Sequence, residues 1–289
     1  MSKQFSLWLG EEKNGALAER LARRFGVARM IFTPAARQQI TAAQRIGAVL
    51  PGEAGATGQR VLAGLRWGLI PFWTQELENS HRLFHARAET LAEKPAFRYA
   101  LSARRCLIPA TGFLEWMERG GQYFPVQFRP REDEFWGFAG LWDDWQGPGG
   151  LILRTCTIIT TIANPLVAPL SLRMPAVLRR EDEAKWLNPA LHDESALRAL
   201  LHPYPTRQMS AFRLDTENGA AREEIGEETL RASSETAEKR AASLYPERRL
   251  VRREAVTANG QVFFKTHSFT QRDDTWWHPV VDLESGGVF

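Results

Sequence analysis

Cysteine is scarce in this chain. Two occur in 289 residues, Cys106 and Cys156, each inside an apolar, strand-like run. Buried thiols in a reduced compartment are therefore expected, rather than a disulfide framework. No His/Cys cluster has zinc spacing, so no metal is expected, and no cofactor motif stands out. No apolar run approaches the ~18 residues of a membrane-spanning helix. The opening MSKQFSLWLGEEKN has too short an apolar stretch for a secretion signal, so a cytoplasmic protein with no membrane partner is expected. Charge of one sign is also lacking. The formal net charge is +3 and the sequence pI about 9.0, a balance that permits a nucleic-acid partner without demanding one. Internal repeats are absent.

What is present reads as an ordinary globular chain, 44% hydrophobic and 25% charged. Residues 11–25 carry Ala16, Leu17, Leu21 and Phe25 at helical spacing, and Gly26 ends the run. Pro95 opens a short helix through Ala103. Extended runs are expected at 44–50, 60–66, 82–88, 122–128, 135–142 and 151–160, and short helices at 181–187 and 194–201. Many strands with few helices predict an α+β fold with a mainly antiparallel, barrel-like β core and peripheral helices. Near Asn218 the composition changes. Residues 1–218 form the main domain, 219–245 a charged helix or linker, and 246–289 a C-terminal β extension built around the turn dipeptide Asn259-Gly260. That extension either covers an edge of the core or serves as a partner-binding or dimerisation module.

The most informative stretch is Arg104–Trp116, RRCLIPATGFLEW. Pro109 and Gly112 mark a sharp bend between two extended segments. Glu115 then lies among Phe113, Leu114, Trp116 and Met117. Alternation places it on a solvated face, or else it is a buried carboxyl with a raised pKa suited to proton transfer.

Other stretches complete a pattern. They are Arg66-Trp67-Gly68-Leu69-Ile70-Pro71-Phe72-Trp73, His85-Ala86-Arg87-Ala88-Glu89-Thr90, Ala139-Gly140-Leu141-Trp142 and Arg173-Met174-Pro175. In this order and spacing, over roughly residues 1–215, the chain resembles the SOS-response-associated peptidase family. The resemblance implies binding of single-stranded DNA and crosslinking to abasic sites in the DNA damage response. It also implies a hydrolase-type release of the family's own leader. In that family an N-terminal cysteine, freed by methionine removal, captures the ring-opened aldehyde through its amine and thiol, assisted by an asparagine, a glutamate and a histidine.

By the same resemblance the catalytic positions fall on Ser2, His85, Glu115 and Ser171. Only Glu115 keeps the family residue. Ser2 replaces the cysteine, His85 the asparagine and Ser171 the histidine, so the crosslinking and autopeptidase chemistry is impaired or altered. The hydroxyl is a much weaker nucleophile than a thiol near neutral pH. The DNA-binding set is Pro34, Arg66, Trp67, Trp73, Arg87, Arg104 and Arg173. Aromatic rings there would stack bases and guanidiniums would hold phosphates. For Trp67 and Trp142, core packing and a site role stay equally open. Two other readings stand beside this one: a non-catalytic regulator that binds protein through the groove or tail, and, last, a hydrolase using Ser171 or Ser2.

Overall fold

The computed structural model describes residues 4–7, 14–52, 59–75, 83–119, 122–215 and 221–233, together with backbone strands between 252 and 283. β1 (Gln4–Leu7) precedes α1 (Asn14–Phe25), β2 (Val27–Met30), β3 (Arg37–Thr41), β4 (Arg45–Leu50) and β5 (Arg60–Trp67). Then come β6 (His85–Arg87), α2 (Pro95–Ala103), β7 (Arg105–Ala110), β8 (Gly112–Arg119), β9 (Gln122–Pro130), β10 (Trp136–Gln146) and β11 (Ile152–Ile162). β12 (Arg173–Pro175), β13 (Val177–Leu178), α3 (Glu183–Leu187), α4 (Glu194–Arg198), β14 (Met209–Leu214) and β15 (Ala221–Glu224) complete the main body.

β11, β10, β7, β4 and β5 pair in sequence, and a parallel contact between β11 and β5 closes the ring into a five-stranded barrel. A second, antiparallel sheet runs β15-β14-β9-β8-β1-β3. The α+β class with a barrel-like antiparallel core is therefore what the chain adopts. Three strands that patterning does not announce matter most. β1 joins β3 to β8, and β2 extends the barrel by pairing with β5 in parallel. Each has five residues or fewer, too short for alternation to register. Ala221–Glu224 is an edge strand, with Glu224 and Glu223 paired to Phe212 and Arg213, and residues 227–233, inside the stretch expected as a charged helix or linker, are helical. Ile225 and Leu230 are buried in the same core, beyond the composition change near Asn218. In the C-terminal segment β16 (Arg252–Ala258), β17 (Gln261–Ser268) and β20 (Val280–Leu283) form one antiparallel sheet, and β18 (Gln271–Arg272) pairs with β19 (Thr275–Trp276). The turn at 259–260 lies outside the described residues.

Between the barrel and the second sheet lies an aromatic core. Phe5 packs on Trp67 and Phe138 at ring separations of 5.3 and 6.0 Å, and Phe113 stacks on Phe128 at 5.0 Å. Burying each such ring contributes ~1.5–3 kcal/mol. Cys106 and Cys156 are both buried, and burial pushes each thiol up from its usual value, which leaves them inert.

Arg105 is one of the charged residues in this interior. It is 3% exposed, yet its guanidinium donates to the carbonyls of Leu101, Ser102, Trp186, Asn188 and Leu191. It thus bolts the end of α2 to the α3–α4 segment, some 80 residues away. Arg105→Met removes the donors and leaves buried carbonyls without partners, each costing ~1–3 kcal/mol. A loss of about 2–3 kcal/mol in urea unfolding is expected, and a variant within ~0.5 kcal/mol of the parent would show that these carbonyls find other donors.

Candidate functional site

The matched motifs gather around the C-terminal half of β11. β6 pairs with it in parallel, His85 opposite Ile158 and Arg87 opposite Thr160. β12 pairs with it antiparallel, Arg173 opposite Ile162 and Met174 opposite Thr161. The two flanking motifs are tied directly. Arg173 donates to Glu89 Oε2 at 2.7 Å, to the Thr160 carbonyl at 2.7 Å and to Thr160 Oγ1 at 3.1 Å. Its side chain is only 11% exposed. The guanidinium expected to meet phosphate is thus engaged with a carboxylate, whereas Arg87 is exposed.

Ser171 is buried beside this junction. Its Oγ donates to the Arg173 carbonyl at 3.0 Å and accepts from the Arg173 N–H at 3.4 Å. His85 is half-buried, its ring edge-on to Trp67 at 5.7 Å. Glu115 is 6% exposed, on β8 opposite Val126, so the solvated-face reading fails for this residue. Glu115 shares its strand face with Phe113 and Met117, each 1% exposed, whereas Trp116 on the opposite face is 43% exposed.

β1 links these positions. Phe5 pairs with Phe113 and Ser6 with Gly112, in antiparallel register. The Phe5 ring meets Trp67, and Trp67 meets His85. Ser2 lies outside the described residues.

Trp67 is 1% exposed, and its Nε1 donates to the Phe84 carbonyl at 2.8 Å. Enclosed by Phe5, Phe84 and His85, it presents no face to a base and belongs to the core. Six residues on, Trp73 is 54% exposed and Phe72 48%. Their loop is held from β10: Asp143 Oδ2 accepts from the Phe72 N–H at 2.9 Å, and Trp145 Nε1 donates to the Thr74 carbonyl at 2.7 Å. Asp143 is buried and also pairs with Arg104. Burial pushes its carboxyl up, and the Phe72 and Asp144 N–H groups and Arg104 oppose that.

Arg104 in turn lies over the rings of Tyr99 and Trp142, each 5.3 Å from the guanidinium carbon. Trp142 is half-buried between Arg104 and Arg154. Pro34 is buried against Gly47. Asp143, Tyr99 and Arg154 were not singled out from the sequence. Asp143 and Asp144 between two tryptophans of an otherwise apolar strand were the available signal. Among the described residues no group of His, Cys, Asp and Glu gathers as a metal site, and no helix is long and apolar enough to cross a membrane.

This chain is similar to known proteins. The sequence model of the family described as SOS response associated peptidase (SRAP) matches residues 9–221. The abasic site processing protein YoqW of Bacillus subtilis is 42% identical over 156 residues, spanning 54% of this chain and 70% of that protein. The chicken abasic site processing protein HMCES is 36% identical over 156 residues, but the match spans only 46% of either chain. In structure, a protein from Bacteroides thetaiotaomicron superposes with a TM-score of 0.64 at 28% identity, over 74% of this chain and 93% of that one. Matched over residues 9–221 in sequence and over 74% of its length in fold, the chain belongs to the SOS response associated peptidase family.

Proposed function

We propose that the protein binds single-stranded DNA at abasic sites, with the covalent chemistry of its family altered by Ser2. The observation that carries the binding is Trp73, an indole 54% exposed on a loop that Asp143 and Trp145 hold rigid. An exposed ring on a pinned loop loses little entropy when a base stacks on it, and such stacking contributes ~1–3 kcal/mol per base. Arg87 supplies an exposed cation on β6. The names of the relatives, which speak of abasic site processing, support the substrate class.

The chemistry follows from Ser2. With Met1 removed, Ser2 carries a free α-amine, the type of group that supplies a neutral nitrogen near neutral pH. The neutral nitrogen attacks the aldehyde carbon of the ring-opened sugar, and water leaves to give an imine. His85 and Glu115 are the assigned base and acid for those proton transfers. The hydroxyl does not close the imine into a lasting ring as a thiol would, so release by hydrolysis is expected.

The test is anisotropy of a labelled single-stranded oligonucleotide, intact or with one abasic site. With ~4 phosphates neutralised, log K is expected to fall with a slope of about −3 against log salt. Trp73→Ala should weaken binding roughly tenfold. Asp143→Ala should weaken it too, without touching DNA, by freeing the loop. Binding that ignores salt, or no binding at all, would favour a protein partner instead.

A further inference from the structure

The outer wall of the barrel carries a pair of charges that the rest of the described fold does not balance. Arg45 on β4 and Arg66 on β5 are direct cross-strand partners. Like charges facing each other across a ladder weaken it. Among the described residues neither pairs with a carboxylate, although eleven other ionic contacts are formed nearby and elsewhere. Arg66 Nη1 is buried and has no acceptor. Arg45 spends its Nε on the Gly64 carbonyl, at 3.4 Å, and lays its guanidinium over the Phe32 ring at 5.2 Å.

The backbone is shaped to hold this pair. A Cβ on Gly64 would fall 2.4 Å from Phe32 Cδ2 and 2.6 Å from Arg45 Nε, so only glycine lets both lie flat on the strand. Two residues before Arg45, Ala43 has φ +69°, in the left-handed region that costs a non-glycine residue energy. Its N–H bonds to the Trp67 carbonyl at 2.8 Å, and the Trp67 N–H bonds to the Gln44 carbonyl at 2.9 Å. The corner that launches Arg45 is thus locked to the residue that follows Arg66. On its other side Arg66 is paired with Thr155, whose Oγ1 accepts from Ile70 N–H in the loop leading to Trp73.

We propose that Arg45 and Arg66 form a clamp for a phosphate group. Two planar forks suit a tetrahedral oxyanion, whose several oxygens accept from both, whereas a carboxylate is saturated by one fork. A bound anion also removes the repulsion across the ladder. Resting on the DNA-binding reading, the occupant is a backbone phosphate of the strand whose bases reach Trp73.

Two measurements test this. Melting is followed in sodium phosphate and in sodium chloride at equal ionic strength. Arg45→Met keeps the aliphatic packing on Phe32 and removes the charge. The parent is expected to melt higher in phosphate. Arg45→Met is expected to melt higher than the parent in chloride and to lose the response to phosphate. In salt titrations of oligonucleotide binding, Arg45→Met should weaken affinity roughly tenfold and flatten the slope by about 0.7, alike for all sequences. Arg45→Lys, which keeps the charge, should retain the slope.

If Arg45→Met melts lower in chloride and still responds to phosphate, the pair is structural and the clamp is wrong. A lost phosphate response with an unchanged slope overturns the backbone assignment and leaves free phosphate as the occupant. If the parent binds no oligonucleotide, the DNA-binding reading fails on its own, and the melting arm still decides the clamp.

Discussion

The variant Ser2→Cys, His85→Asn, Ser171→His is expected to form a heat-stable adduct with an abasic oligonucleotide, where the parent protein forms none. A thiol beside the new imine closes it into a five-membered ring, and that ring survives denaturation. Ser2→Cys alone should give the same adduct slowly. The two further changes install the residues that the resemblance implies at those positions, and a positioned acid or base contributes ~10²–10⁴-fold. Ser171 is the more demanding of the two. It is buried, and its hydroxyl closes a local turn by bonding to both ends of Arg173. A histidine there must replace those bonds, so the triple variant is first checked for melting and for oligonucleotide binding. The readout is a denaturing gel over a time course, with borohydride added in parallel to trap an imine formed by the parent. A stable adduct from the parent would show that the Ser2 hydroxyl suffices. No adduct from the triple variant, with binding intact, would show that the pocket has been lost.

The largest expected effect on stability lies away from this site. Glu183 on α3 is 3% exposed at its side chain and accepts from Arg24 on α1 at both oxygens, 2.9 and 3.1 Å, with Arg60 3.9 Å away. Glu183→Ala leaves Arg24, its side chain 11% exposed, without its anion. Removing one partner of a buried pair costs ~3–5 kcal/mol. Replacing both, as Arg24→Met with Glu183→Leu, should cost much less, because neither charge is then left in the interior. Equal losses from the single and double variants in urea unfolding would show that packing alone is at stake.

The pH dependence has a definite sign. Burial pushes the Glu183 carboxyl up, against the pull of Arg24, Arg60 and Arg180. With its folded pKa above the unfolded value, the folded state binds the proton more tightly. The proton-linked part of this group's contribution, separate from its pairing with Arg24, therefore grows as pH falls through the folded pKa and is lost above it. Glu183 should not be a source of acid lability, and Glu183→Gln should flatten the stability profile on the acid side.

Much of the fold was legible locally. The helix α2 starts at its Pro95 and α1 stops before Gly26 at φ +62°, because proline and glycine act through their own backbone geometry. The long strands β4, β5, β7, β8, β10 and β11 were visible in their apolar runs. The short strands β1, β2 and β12 were not, since three to four residues carry no period. The candidate site was legible as a set of motifs, but not which members face a ligand. Trp67 and Trp73 occur in one motif, and one is core while the other is exposed. Arg87 and Arg173 both lie in matched motifs, and one is free to meet a ligand while the other holds Glu89.

By itself the sequence determined the family, the α+β class and the absence of any zinc spacing, all of which are properties of residue identity and order. Tertiary structure alone decided the closure of the barrel through the parallel contact of β5 with β11, the burial of Glu115, the pinning of the Trp73 loop by Asp143 and the facing of Arg45 by Arg66. The barrel closure, the loop pinning and the arginine pair join residues about 20 to 90 positions apart. Local propensity and periodicity describe what a segment presents on its two faces. Which face becomes interior, and which charge finds an opposite, is set by the partner that long-range pairing brings against it.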